Sequence, residues 1–406
     1  MILDESLVQR RRLNLSLTVP LLFVATVVVL ILRRPDQFLA PYIWAEDGRY
    51  ILREYLEQDW GTILNPLAGY LLLATKIISY LSFKASILYA PEIEVALTVL
   101  LTFGVICAIA LSPTHLRFPA LCSLSVLLIP TDAETFAVSL YAFWWAGILY
   151  LLAVIWDEDR GRISFRYAFI VFGGLSSPLA VSLAPFFILR AAVERRGWGA
   201  AAVAVIVAGF QIAAMKQQRL DAQIFMPELR TITAAIGQFV GNFLFNGARL
   251  SGAVPLLALY GALIALRYQR FKWPFWILVA VNVIICASIS LRLPSESLAA
   301  IDQFTAGPRY YFYPFIVLSW LLIWVAAESN GAVRIITACI FVVSLATAGA
   351  GLSRRHDHVS WRDEVLKCSN SETYKIPLHY IGSSKEMWSA DFKGSECKEM
   401  IERSLF

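Results

Sequence analysis

Residues 15–48 read LSLTVPLLFVATVVVLILRRPDQFLAPYIWAEDG. The run 15–32 carries no charge and is long enough to cross a bilayer as a helix. Arg10, Arg11 and Arg12 precede it. That flank is shared with secretory signals. However, the run outlasts a signal core, and Arg33-Arg34-Pro35 is no small-residue cleavage site. It reads as an uncleaved first span with its N-terminus inside. Just beyond it stand two adjacent carboxylates, Glu46 and Asp47, next to aromatic residues.

The rest of the chain follows the same pattern. Its 406 residues are 58% hydrophobic and 16% charged, with a mean hydropathy of +0.63. A soluble domain carries about a quarter charged residues. Apolar runs recur at 15–32, 92–112, 116–130, 136–156, 166–177, 178–190, 199–215, 251–267, 274–291, 310–327 and 334–350. They predict an all-α polytopic membrane protein of about 11 transmembrane helices. The runs 166–177 and 178–190 are each too short to cross alone, and Ser176-Ser177-Pro178 marks the break. They read as a short helical hairpin buried among other helices. With the N-terminus inside, the inner pieces hold 14 Lys and Arg in about 50 residues, and the much longer outer pieces before the tail hold 12. That asymmetry is the positive-inside pattern. The net charge of +5 follows from this placement and gives no reason to expect nucleic acid.

On this topology residues 1–350 form the membrane domain, 33–91 a long first outer loop, and 351–406 a small extracytoplasmic C-terminal region. Within the loop Ile51, Leu52, Tyr55, Leu56 and Trp60 recur at helical spacing. They predict an amphipathic helix lying on the membrane surface. The apolar stretch 66–83 reads as interfacial or half-embedded, because counting it as a span reverses every later loop. Cys107, Cys122, Cys286 and Cys339 fall within spans and read as small core residues. Cys368 and Cys397 lie in the tail, either as a disulfide or as two unrelated thiols.

The carboxylate pair reads two ways. Asp47 serves as the helix cap for 48–60, or one of the pair is a general base at a membrane–water boundary. Low dielectric there raises a carboxyl pKa toward the working range. Tyr42 and Trp44 are interface anchors whose rings also suit a sugar. The turn TDAET, 131–135, brings Asp132 and Glu134 to the same compartment, as a solvated turn or as part of a site. In GPRYYFYP, 307–314, Arg309 and Tyr310 stand where an outer loop enters a span. An arginine there holds a phosphate or snorkels to the interface. Arg292 shares that loop, and Lys76, Lys216 and Arg249 are further boundary cations. No phosphate-cradling glycine loop, dinucleotide fingerprint or nucleophile elbow occurs, and His356-x-His358 has no matching ligand cluster. No span carries a charged relay of the kind pumps use, which argues against a transporter with its site at mid-membrane.

A first span, a long outer loop opening with WAEDG at 44–48, interfacial helices and about ten further spans together resemble the GT-C superfamily of integral membrane glycosyltransferases. GPRYYFYP resembles the late-loop arginine-and-tyrosine stretches of several members. PTDAETFAVSLYAFWWAG at 130–147 and GGLSSPLAVSLAPFF at 173–187 resemble bacterial surface-polysaccharide members. The resemblance implies inverting transfer of a sugar from a polyprenyl-phosphate carrier, such as undecaprenyl phosphate, to an envelope glycan or glycolipid acceptor. It implies a bacterial cytoplasmic membrane with the site facing the periplasm or exterior. Within that resemblance Asp47 is the first choice for the base and Glu46 the second, and Arg309 holds the carrier phosphate. Tyr310, Trp44, Asp132, Glu134 and Arg292 are further candidate substrate contacts. No metal ligand is assigned, and a divalent cation stays open as a cofactor. The tail is far shorter than the carbohydrate-binding domain of larger members. The WWDYG-type motif of oligosaccharyltransferases is missing, which speaks against asparagine-linked transfer. The alternatives are a lipid-linked sugar flippase or transporter, and a non-catalytic subunit of a polysaccharide assembly.

Overall fold

The computed structural model describes residues 5–218, 228–244, 253, 254, 257, 261, 272–329, 331–356, 359–381 and 387–406. The expected span 251–267, Arg249 and His358 fall wholly or mostly outside the described residues. The described chain is mostly helical. Four of its helices are long and apolar enough to cross a membrane: Ala90–Leu111, Trp198–Gln217, Trp273–Ser290 and Pro308–Glu328. Shorter apolar helices run Leu17–Arg33, Ser139–Val154, Ile163–Ser176 and Ala332–Ala348. Length and composition together mark a membrane protein.

Two helices form the centre. Ala142–Val154 and Phe312–Glu328 are buried on nearly every face. The helices around them leave an apolar face outward, with Leu21, Leu100, Phe210, Val283 and Val342 exposed. Such a surface is a liability in water and the natural contact in lipid. Ala142–Val154 crosses Ile163–Ser176 almost backbone to backbone. A Cβ on Gly173 would lie 2.7 Å from Tyr150 N and 2.8 Å from Ala146 O, so only glycine permits the approach. The chain breaks at Ser177-Pro178 between helices Ile163–Ser176 and Leu179–Glu194. Their 14 and 16 residues each fall short of a bilayer core of about 30 Å.

The segment 116–141 departs from expectation. Helix Pro119–Leu127 has 9 residues, and the next α-helix begins only at Ala142. Between them the chain is irregular, with two short 3₁₀ turns, and buried. Buried carbonyls outside a helix or ladder each need a donor. Arg33 and Arg34, which in the sequence merely end the first span, supply them. Arg33 Nη1 donates to Leu127 O at 2.9 Å and Ile129 O at 3.1 Å, and its Nη2 to Thr131 O. Arg34 Nη1 donates to Ala133 O at 3.1 Å and Phe136 O at 3.2 Å, and its guanidinium pairs with Asp36. A planar fork of five donors suits a bent segment of this kind.

The first-loop helix is not laid on lipid. It winds as a π turn Asp47–Ile51, an α-helix Leu52–Gln58 and a 3₁₀ turn Asp59–Leu64. Ile51, Leu52 and Tyr55 pack against Phe83, Ile87 and the C-terminal region, while Trp60 is exposed. The stretch 66–83 resolves into an irregular lead and helix Leu73–Ala85, packed on the bundle.

The C-terminal region is not all-helical. Helix Trp361–Ser369 leads to antiparallel strands Thr373–Ile381 and Met387–Lys393, registered Thr373 to Lys393, then helix Gly394–Arg403. A Cys368–Cys397 disulfide joins the two helices. Ile376, Leu378, Phe392 and Met400 share one core with Ile51 and Tyr55. Trp361 Nε1 donates to Ile87 O at 2.7 Å. This unit therefore fixes the first loop, and with it Glu46.

Candidate functional site

The first loop, the 140–144 segment and the ends of several apolar helices enclose a cleft of about 770 Å³. Consecutive residues in a helical turn point about 100° apart, and this separates the carboxylate pair. Glu46 lines the cleft. Asp47 is fully buried beside it and does not. Asp47 Oδ2 accepts from Ser139 Oγ at 2.7 Å and from Leu140 N at 3.0 Å. The sequence ranked Asp47 before Glu46, and the geometry reverses that order for any group that must touch a bound molecule. Asp47 is also no helix cap, since its bonds run across to 139–140. Burial raises the Glu46 pKa; the Arg309 charge opposes that shift and the Glu134 charge adds to it. Burial likewise pushes Asp47 up to about 7.

Two arginines and Tyr310 line the same cleft. Arg309 Nη1 donates to Glu134 Oε1 at 2.8 Å, and Tyr141 Oη donates to the same oxygen at 2.6 Å. The Arg292 guanidinium sits 5.1 Å from the Tyr70 ring centroid. Among the described residues it has no carboxylate partner, and burial lowers its pKa. Glu134 and Asp132 are not in a solvated turn. Both are buried, and Asp132 pairs with Arg354 at 2.8 Å. Glu134 therefore reaches the cleft only indirectly, through Arg309 and Tyr141, and Asp132 does not line it.

Trp44 is buried too, with its ring centroid 5.8 Å from Tyr141 and 5.9 Å from His356. The aromatic wall is built instead by Tyr50, Tyr70, Phe143, Trp144, Tyr310 and Tyr313. Tyr313 Oη donates to Trp144 O at 2.8 Å, which ties two of these rings together. The lining also carries the apolar side chains Leu179, Ile285 and Ile289. There Ser182 Oγ and Ser288 Oγ bridge two helices at 3.0 Å.

Several lining residues had no weight in the sequence. Glu54 faces the cleft and accepts from Lys76 Nζ and from Thr62 Oγ1. Gln218 lines it while holding Pro66 O and Gly69 N. Gln211, two turns earlier, donates to Gly174 O at 2.8 Å and Leu71 O at 3.1 Å. Two glutamines seven apart on one face of an apolar helix were a readable sign of a polar seam. Glu54 and Lys76 gave no comparable sign, because only the fold makes them partners.

Among the described residues, no three Asp, Glu, His or Cys side chains converge as a metal would need. No known protein family, curated protein or solved structure matches the chain. The site is therefore read from its own chemistry. One readily protonated carboxyl stands with two guanidiniums in a cleft lined by aromatic and aliphatic side chains. Such a site can hold an anion and take a proton from a hydroxyl.

Proposed function

We propose that the protein transfers a sugar from a polyprenyl-phosphate carrier to a hydroxyl of an envelope glycan or glycolipid, at the outer face of a bacterial cytoplasmic membrane. The observation that carries this reading is the composition of the cleft: Glu46, Arg292 and Arg309 within one cavity of about 770 Å³, walled by aromatic rings. The aliphatic lining at Leu179, Ile285 and Ile289, on helices of the membrane domain, suits an isoprenoid chain, and the rings suit a sugar.

In this reading the acceptor oxygen attacks the anomeric carbon while the bond from that carbon to the phosphate oxygen breaks. The electron pair leaves with the phosphate, where Arg292 and Arg309 balance the developing charge. The acceptor proton passes to Glu46. Attack from the face opposite the leaving group inverts the anomeric centre. The disulfide of the C-terminal unit fits an oxidising compartment, which supports the outward placement.

The test is release of undecaprenyl phosphate from a panel of labelled undecaprenyl-phosphate sugars by membranes carrying the protein, with product glycans read by mass spectrometry. Glu46→Gln at equal expression is expected to slow release by about a hundredfold or more. Wild-type turnover from Glu46→Gln removes the base assignment. No turnover by any form, together with carrier movement across vesicles, makes the protein a flippase instead.

A further inference from the structure

Beneath the cleft lies a polar group that the reaction above does not use. Ser139 Oγ is 2.7 Å from Asp47 Oδ2 and 2.7 Å from Glu94 Oε2. Glu94 comes from the apolar helix Ala90–Leu111 and is 3% exposed, and Asp47 is fully buried. A serine hydroxyl has one proton and two lone pairs. It donates to one carboxyl and accepts from the other, so both contacts are hydrogen bonds only if one carboxyl carries a proton. Of the remaining oxygens, Asp47 Oδ1 has no hydrogen-bond partner, and Glu94 has the Ser79 hydroxyl as its one further polar neighbour, outside strict hydrogen-bond geometry. An orphaned carbonyl oxygen of a neutral acid is far less costly when buried than an orphaned carboxylate oxygen. Two like charges sharing one buried hydroxyl would also repel strongly.

We infer that Glu94 is a positioning residue: it shares a single retained proton with Asp47 across Ser139, and so pins the turn 138–141 to the first loop while leaving one negative charge under the cleft. The inference rests on the reading of Glu46 as the base. Leu140 and Tyr141, held by that turn, line the cleft with Glu46. Thr75 Oγ1 grips the turn from the other side, donating to Leu140 O at 2.8 Å. The Glu46 charge raises the proton affinity of its neighbour Asp47, and repulsion between adjacent carboxylates acts on both. A second full charge under the cleft would raise that of Glu46 further and keep it protonated, unable to accept the acceptor proton.

The charges around the pair come from four elements. Glu46 lies beside Asp47 on the first-loop helix, with Glu54 one to two turns on. Lys76, on helix Leu73–Ala85, attracts Asp47 and is bonded to Glu54. Arg309 and Glu134 act on Glu46 from the other side of the cleft. Lys76 is the cation whose charge acts on Asp47 among the described residues, and it is already paired with Glu54. A second negative charge on the pair would therefore have no cation of its own.

The test uses the full chain in lipid nanodiscs. Infrared difference spectra at neutral pH are expected to show the carbonyl stretch of a protonated buried carboxyl in wild type and in Glu46→Gln. Glu94→Gln and Asp47→Asn are expected to lose it. Glu94→Gln places an amide donor against Ser139, so the turn stays pinned without a titrating proton. Its transfer rate near neutral pH should stay within about threefold of wild type. Its alkaline fall in rate should vanish, whereas wild type loses activity as the shared proton leaves. Ser139→Ala, which cannot bridge the pair, should lose the pinned turn and slow transfer at every pH. The infrared result stands whether or not sugar transfer is the reaction. No protonated carboxyl band in wild type overturns the shared proton. A band with an unchanged pH profile in Glu94→Gln overturns the positioning role.

Discussion

Arg309 Nη1 lies 2.8 Å from Glu134 Oε1, while Arg292 stacks on Tyr70 with no carboxylate partner among the described residues. The two arginines of the cleft are thus unequal. One is already neutralised, and the other keeps its full charge for a ligand. Replacing Arg309 by Ala leaves the buried Glu134 carboxylate without its cation, which is destabilising. Replacing Arg292 by Ala strands nothing. Arg292→Ala is expected to hold wild-type thermal stability and raise KM for a phosphate-bearing donor. Arg309→Ala should melt lower, and Arg309→Ala with Glu134→Gln should recover part of the loss. Thermal shift and donor titration on the same preparations separate the two.

In the proposed reaction Glu46 sets the acid limb of the rate. Its pKa is raised by burial and by the Glu134 charge. A carboxyl with a raised pKa holds its proton to higher pH, and the protonated form cannot act as a base. Transfer should therefore fall as pH drops through a midpoint above the ordinary carboxylate range, and Glu46→Gln should abolish the limb with the activity. A midpoint at or below that of a free glutamate means that the limb belongs to another group.

What the sequence made legible was what needs no partner. Uniform hydropathy marked the long helices, and Ser176-Ser177-Pro178 marked the break, because a proline lacks its N–H wherever it folds. The site was legible only as a neighbourhood. Glu46 and Asp47 are identical as sequence signals. What divides them is Ser139, 92 residues away, which takes Asp47 inward. Arg33 and Arg34 look like the usual boundary cations after a first span. Their task, bonding carbonyls between 127 and 136, depends on a segment whose apolar composition resembles a span but which folds without a long helix.

Asp47 links stability to pH. Its folded pKa is raised to about 7 by burial, and an unfolded aspartate titrates near about 4. A raised folded pKa means the folded state keeps a proton the unfolded state gives up. Stability is then greatest at low pH with respect to this group, and declines as pH rises from about 4 to about 7. Asp47→Asn should flatten this decline. Melting temperatures across that window check it, and an identical slope in wild type and Asp47→Asn rejects the assignment.

Arg34 should be the least replaceable cation among the described residues. It is fully buried, donates to Ala133 O and Phe136 O, and pairs with Asp36 and Tyr42. Lysine keeps the charge but loses the planar fork. Arg34→Lys leaves buried carbonyls without donors, each costing about 1–3 kcal/mol. The expected result is a marked loss of folded protein on detergent extraction, although no arginine has left the cleft. Wild-type melting of Arg34→Lys would mean that other groups satisfy the 133–136 carbonyls.

The disulfide carries the last prediction, because it joins stability to the site. Cys368 and Cys397 are 29 apart in sequence, and closing a loop of that size stabilises by about 3–4 kcal/mol on the chain-entropy account. The two helices it joins hold the hairpin whose Ile376, Leu378 and Phe392 pack on Ile51 and Tyr55 of the first loop. Arg53 Nη1 also reaches Glu396 at 2.7 Å. Loosening the C-terminal unit must therefore loosen the helix that carries Glu46. Cys368→Ser with Cys397→Ser is expected to lower both thermal stability and turnover, and the same pair reports on which side of the membrane the unit lies. After reduction, which loosens the unit and uncovers the two buried thiols, a membrane-impermeant thiol reagent added to intact cells should label wild type more than the double variant. Labelling that requires the membrane to be opened first puts the C-terminal unit, and the cleft beneath it, on the inner face.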